Sequence, residues 1–151
     1  MPQYLSNELA GTTTGTTQVS AVASGYRPAA SVYGARLKRL RATITLASQT
    51  TSDTLLLGML PAGATFAFGK LTTSVSLGSS TLAVGIAGTA GKYRAAAVFT
   101  ATDTPTDFGT AATIAAASPL AADEPVIGTI ASASLPSSGT LVVDLYYSMP
   151  N

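Results

Sequence analysis

From Leu37 onward, apolar and polar residues alternate in short runs, and this period of two is typical of half-buried β-strands. In the first run one face is apolar and the other is basic or polar: Leu40, Ala42, Ile44 and Leu46 against Arg39, Arg41, Thr43 and Thr45. Residues 54–60 form an apolar run short enough to be a buried strand, and further strand candidates follow at residues 81–87, 93–100, 126–133 and 140–147. Short strands at such close intervals favour an all-β fold, a jelly-roll-like β-sandwich.

Two aromatic pairs predict which way their side chains point. Phe66 and Phe68 stand two residues apart, so they are predicted to share one face of a strand. Tyr146 and Tyr147 are adjacent, so one is predicted to face the core and the other the surface or an interface. The tyrosines could also form a platform for stacking sugars, which leaves a glycan-binding module open as an alternative function.

The last third of the chain contains a turn signal and an ambiguous stretch. Residues 135–139, Leu-Pro-Ser-Ser-Gly, predict a hairpin between the strands at residues 126–133 and 140–147. Residues 101–124 carry prolines and acidic side chains, and we interpret them mainly as a long connection. Within it, the alanine-rich residues 111–117 fit a short helix or a further strand.

Residues 1–34 differ from the rest because they are rich in Thr, Gly and Ser and show neither a helical nor a strand period. We predict an extended N-terminal arm over residues 1–34, followed by a single β-sandwich domain over residues 35–151. The arm has too little apolar surface to offset an ordering cost of about 1–2 kcal/mol per residue, so we expect it to bind a partner. Its candidate anchors are its larger apolar and aromatic residues: Tyr4, Leu5, Leu9, Val19, Val22 and Tyr26.

Several kinds of chemistry need residues that the chain lacks. It has no His, no Cys and no Trp, which excludes disulfides, zinc–thiolate sites and nucleophiles activated by histidine. No phosphate-binding loop and no nucleophile elbow occurs. The pairs Asp103/Asp107 and Asp123/Glu124 could supply paired carboxylates or calcium ligands, although turn-forming acids are the simpler interpretation. We therefore predict a protein that is not an enzyme and uses no cofactor or metal.

Charge is scarce and unevenly distributed. Charged residues make up 10% of the chain, where a soluble domain usually carries about 25%. Residues 1–75 hold six basic and two acidic residues, whereas residues 76–151 hold two basic and five acidic residues. A surface so poor in charge favours association, and oppositely charged halves suit head-to-tail contacts. We therefore predict a homo-oligomer.

Four basic residues crowd the first predicted strand: Arg36, Lys38, Arg39 and Arg41. Nucleic-acid modules normally show a larger positive balance than this chain's net +1, with aromatic residues interleaved. We therefore predict no nucleic-acid partner. The planar fork of arginine suits carboxylates, so we predict that this strand is a contact surface for a protein partner.

The chain's start shows no targeting signal. Its first residues have neither a basic region nor an apolar one, and no apolar run approaches the ~18 residues of a membrane helix. We therefore expect a protein made in the cytosol, with no membrane partner.

Four stretches of the chain resemble a family of tailed-bacteriophage virion structural proteins. They are Val-Tyr-Gly-Ala-Arg-Leu-Lys-Arg-Leu-Arg-Ala-Thr-Ile-Thr-Leu at residues 32–46, Asp-Thr-Leu-Leu-Leu-Gly-Met-Leu-Pro-Ala-Gly-Ala at 53–64, Ser-Leu-Gly-Ser-Ser-Thr-Leu-Ala-Val-Gly-Ile-Ala at 76–87 and Lys-Tyr-Arg-Ala-Ala-Ala at 92–97. The resemblance covers roughly residues 32–110.

This resemblance implies a small β-rich decoration or cement protein on the outer surface of a phage head, made in the host cytoplasm. Its partners would be the major capsid protein and further copies of itself. A trimer is preferred because an icosahedral lattice offers threefold positions to a small closed ring. A neck or tail component would share the same fold class and remains an alternative.

Overall fold

A computed structural model describes residues 36–116 and 118–149 of the chain. Within them the chain forms eight strands and one short helix. The strands are β1 Arg36–Thr45, β2 Thr54–Leu60, β3 Thr65–Thr73, β4 Thr81–Ile86, β5 Thr89–Val98, β6 Thr106–Phe108, β7 Glu124–Ala131 and β8 Thr140–Met149. The helix, α1, spans Ala111–Ala116.

The strands form two four-stranded antiparallel sheets. Sheet A has the order β1-β8-β3-β6, and sheet B has the order β2-β7-β4-β5. The pairs are nested, because β1 pairs with β8, β2 with β7, β3 with β6 and β4 with β5. This arrangement confirms the predicted all-β sandwich.

The core lies between the two sheets and is built from the inward-facing residues that the alternation predicted. From sheet A it receives Leu141, Val143 and Leu145 of β8, and from sheet B it receives Leu82 and Val84 of β4, all of them almost fully buried. Burying a side chain of this size contributes about 1.5–3 kcal/mol. The core therefore joins residues far apart in the sequence, and neither sheet can bury its apolar face without the other.

Phe66 and Phe68 do not share a face, so that prediction is wrong. A β-bulge between them shifts the register of β3 against β8. Phe66 points inward, where its ring centroid lies 4.4 Å from that of Tyr93. Phe68 points outward and stacks on Tyr146 with a centroid distance of 4.6 Å. The inserted residue between them breaks the period of two on which the prediction depended.

The predicted hairpin at residues 135–139 is also wrong. β7 belongs to sheet B and β8 to sheet A, so the connection crosses from one sheet to the other. Its backbone pairs instead with the segment that follows β1: Leu46 N donates to Gly139 O at 2.9 Å, and Leu135 N donates to Gln49 O at 2.8 Å. The turn residues mark a reversal of direction correctly, but they do not specify which strand is met afterwards.

Residues 101–124 hold more structure than a simple connection. They contain the short edge strand β6 and the helix α1, so the alanine-rich stretch is helical over Ala111–Ala116. Thr110 caps this helix, because its side-chain oxygen accepts a hydrogen bond from Thr113 N at 3.2 Å.

Two leucines of sheet B test this description of the core. Leu82 is fully buried and Leu56 is 66% exposed. We expect Leu82→Ala to lower the free energy of unfolding by about 2–5 kcal/mol. We expect Leu56→Ala to change it by no more than about 0.5 kcal/mol. Urea unfolding of the two variants gives the comparison, and similar losses in both would contradict the assignment of faces.

Candidate protein-interaction surfaces

The outer face of sheet A carries a row of charged side chains that crosses all four strands. Arg41 of β1 lies opposite Asp144 of β8, Asp144 lies opposite Lys70 of β3, and Lys70 lies opposite Asp107 of β6. The signs alternate from one edge of the sheet to the other. We call these four residues the charge row.

Arg41 and Asp144 form the strongest contact of the charge row. Arg41 donates from Nε and from Nη2 to the two carboxylate oxygens of Asp144, both at 2.7 Å. Asp144 is only 5% exposed although it points away from the core. The two hydrogen bonds from Arg41 hold the pKa of Asp144 below its usual range, in spite of the opposing effect of burial. Arg41 therefore stabilises a carboxylate that the sheet has largely removed from water.

Lys70 and Asp107 form the second contact, at the other side of the sheet. Lys70 Nζ lies 2.5 Å from Asp107 Oδ1, and this hydrogen bond raises the pKa of the lysine. β3 is an interior strand of sheet A, so Lys70 does not lie at an edge of the sheet. Lys70 thus has a carboxylate on each side, Asp107 on β6 and Asp144 on β8.

The four predicted basic residues lie on β1, which is an edge strand of sheet A. Arg39 and Arg41 share the outer face, whereas Arg36 and Lys38 alternate to the other face. Arg36, Lys38 and Arg39 are exposed, and among the described residues they form no ion pair. Arg41 differs because it already binds Asp144, although this uses only two of its five N–H donors.

The predicted anchors of the arm lie outside the described residues. These are Tyr4, Leu5, Leu9, Val19, Val22 and Tyr26. Their role in partner binding therefore stays a prediction, as does the boundary of the arm at residue 34.

The outer face of sheet B contrasts with that of sheet A, because large apolar side chains lie exposed on it. Leu56 and Met59 of β2 are 66% and 52% exposed, and Val98 of β5 is 54% exposed. Ile127 of β7 lies opposite Leu56 and extends this apolar surface. The sequence missed it because the apolar run at residues 54–60 resembles a strand buried on both faces, whereas β2 has one buried and one open face.

A partly buried polar cluster joins β5 to β7. Glu124 accepts hydrogen bonds from Lys92 Nζ and from the Tyr93 hydroxyl. Burial and the bond to Glu124 raise the pKa of Tyr93. Every charged or polar group of the cluster is therefore occupied by another, which fits a structural role.

One member of each acidic pair considered in the sequence analysis binds a lysine in the structure. Glu124 lies in the polar cluster and Asp107 lies in the charge row, each bound to a lysine. In the part of the chain that the structure describes, no three acidic side chains come together in a way that could hold a metal ion. The same part of the chain contains no helix with the length and apolar character that crossing a membrane requires.

Comparison with known proteins gives structural neighbours only. No protein-family model matches the chain, and no curated protein matches it. A chain of the Cyanophage Pam1 capsid asymmetric unit superimposes with a TM-score of 0.62 at 20% identity, over 93% of this chain and 99% of that one. A chain from the capsid of Ralstonia phage GP4 gives a TM-score of 0.57 at 19% identity, over 78% and 85%.

A third neighbour comes from the acidic stable capsid structure of Helicobacter pylori bacteriophage KHP30. Its TM-score is 0.56 at 14% identity, over 76% of this chain and 89% of that one. At such low identities these likenesses show a shared fold. They extend over most of each chain, so the shared unit is the whole sandwich and not a fragment of it.

The Arg41–Asp144 contact makes a prediction about pH. Because the pKa of Asp144 is lowered in the folded protein, its contribution to stability is present above the ordinary carboxyl pKa of about 3.9 and is lost as the pH falls through the folded value. We expect the thermal unfolding temperature to fall more steeply below about pH 4 in the wild type than in Asp144→Asn. The pKa of Asp53 is also lowered, but Asp53 is present in both proteins, so the difference between them isolates Asp144. Parallel curves would contradict the prediction.

Proposed function

We propose that this chain is a structural protein of a tailed-phage virion, and more specifically a decoration or cement protein on the outer surface of the head. The observation that carries the proposal is the likeness to a chain of the Cyanophage Pam1 capsid asymmetric unit, which runs nearly from end to end of both chains. Two further neighbours also come from phage capsid structures. Nearly complete mutual coverage means that the Pam1 chain is a protein of similar size.

The winding of the strands supports this proposal. In a jelly roll, one long antiparallel hairpin of eight strands is wrapped so that four nested strand pairs are shared between two sheets. The pairs of β1 with β8, β2 with β7, β3 with β6 and β4 with β5 have this nesting. We therefore propose that the sandwich is a jelly roll, an architecture found in viral capsid and lectin domains.

The surface supports a role in an assembly. Exposed apolar residues on the outer face of sheet B, with few charges in the chain as a whole, favour coverage by other protein chains. We propose two partners: further copies of this chain, with a trimer preferred, and the major capsid protein. No enzymatic activity, cofactor, nucleic acid or membrane enters the proposal.

Two alternative functions are distinguished by particular features. A neck or tail component would have the same fold, and its position in the particle would identify it. A glycan-binding module needs several exposed aromatic rings on one face. Of the three tyrosines in the described residues, Tyr93 is buried and Tyr147 packs against the core. Tyr146 lies on the outer face of sheet A, where its ring and that of Phe68 stack on each other and are only partly exposed. This distribution favours the virion role.

The arm provides the first test of the proposal. We expect deletion of residues 1–30 to reduce co-sedimentation with capsids that lack the protein, because the arm is proposed to reach a groove on a capsid or a neighbouring subunit. We expect the thermal unfolding of the remaining domain to change little. A truncated protein that bound capsids as well as the full chain would contradict this proposal, and one that failed to fold would make the arm part of the core.

The free basic residues of β1 provide a second test. Arg36→Glu together with Arg39→Glu should weaken self-association by about tenfold or more, as measured by sedimentation equilibrium. Arg41 is left intact because it holds the buried Asp144. The matched control is Ser137→Glu with Ser138→Glu, two exposed positions in the connection before β8. An equal effect of both double variants would mean that added negative charge, and not the β1 surface, weakens association.

A further inference from the structure

The charge row ends in opposite signs at the two edges of sheet A. Arg41 is the last member at the β1 edge, and Asp107 is the last member at the β6 edge. From β6 to β1 the signs run negative, positive, negative, positive. If a second copy stood beside the first with its β6 edge against β1, its Asp107 would lie next to Arg41. The alternation would then continue across the boundary without a like-charge neighbour.

The directions of the strands would also continue their antiparallel order across such a contact. Each neighbouring pair in sheet A is antiparallel, so β1 runs opposite to β8, β8 opposite to β3, and β3 opposite to β6. Along four antiparallel strands the first and last run in opposite directions. A second copy related by rotation about an axis roughly parallel to the strands keeps these directions, so it would present its β6 antiparallel to β1, which is the pairing that the sheet already uses.

We propose that the β1 edge of one copy binds the β6 edge of the next, with Arg41 and Arg39 facing the partner copy's acidic edge at Asp107. This inference rests on the self-association proposed above and assigns the surfaces that carry it. The contact joins two different edges, so it is heterologous, and it gives a ring where the rotation between copies closes.

The side chains at both edges can form further hydrogen bonds and ion pairs with a partner copy. Arg41 binds Asp144 through Nε and Nη2, and a guanidinium has five N–H donors, so donors remain for a second carboxylate. Arg39 is exposed and forms no ion pair among the described residues. The side chain of Asp107 is 65% exposed although it binds Lys70.

Contacts between identical edges are disfavoured by the same charges. Two β1 edges would bring Arg36, Lys38 and Arg39 against their own copies, and like charges placed together cost free energy at an interface. A contact within one chain is excluded by distance, because β1 and β6 are separated by three strand spacings, roughly 14 Å.

Cross-linking tests the proposed contact, because the natural chain has no cysteine. In the proposed register, Thr43 of one copy lies opposite residue 105 of the next, which makes Thr104 a near neighbour, and both threonines are exposed. The double variant Thr43→Cys, Thr104→Cys is treated with a bismaleimide too short to join the two edges within one chain. We expect covalent products whose largest member contains as many chains as the oligomer seen by sedimentation equilibrium. Thr43→Cys alone, Thr104→Cys alone and the control pair Thr43→Cys, Ser137→Cys should give no cross-linked product.

The other cross-linking and sedimentation results would overturn the proposed contact, and one of them would also overturn self-association. Cross-linking of Thr43→Cys alone would show two β1 edges in contact and overturn the inference. An oligomer whose double variant does not cross-link would overturn it too, while leaving the proposed self-association intact. A monomer at tens of micromolar would overturn both. As an independent measurement, Asp107→Asn should weaken association by about tenfold, whereas the matched variant Asp53→Asn, in the loop after β1, should leave it unchanged.

Discussion

The structure depends on the pairing of β8 with β1 on one side and with β3 on the other. Its inner face supplies Leu141, Val143 and Leu145 to the core, and its outer face supplies Asp144 to the charge row. Arg41 and Asp144 are 103 positions apart in the sequence, so the first described strand can be paired only after nearly the whole domain has been traversed. Closing so long a loop has an entropic cost that only the completed core offsets.

This long-range pairing explains which predictions from the sequence were correct. The period of two correctly predicted β1, the faces of Tyr146 and Tyr147, and the sandwich as a class, because alternation is a local property of the chain. It placed Phe66 and Phe68 on one face, since a β-bulge adds a residue without any signal in the apolar pattern. It also joined β7 and β8 as a hairpin, because turn residues specify a change of direction and not the sheet that receives the next strand.

Only some features of the interaction surfaces could be predicted from the sequence. The basic residues of β1 lie within six consecutive positions, so the sequence alone identified the strand as basic. That Arg41 is bound to Asp144 whereas Arg39 is free follows from the register of β1 against β8, which no local pattern contains. The apolar outer face of sheet B was not predicted for a related reason. Leu56 and Met59 are as apolar as core residues, and only the two-layer arrangement shows that no further layer of the described chain covers this face.

The central claim is that the sandwich is a component of a phage head, and electron cryomicroscopy of the intact particle tests it most directly. The account predicts density for this sandwich on the outer surface of the capsid, in closed groups of copies at lattice symmetry positions. Density confined to the neck or tail, or a particle that lacks the chain altogether, would contradict it.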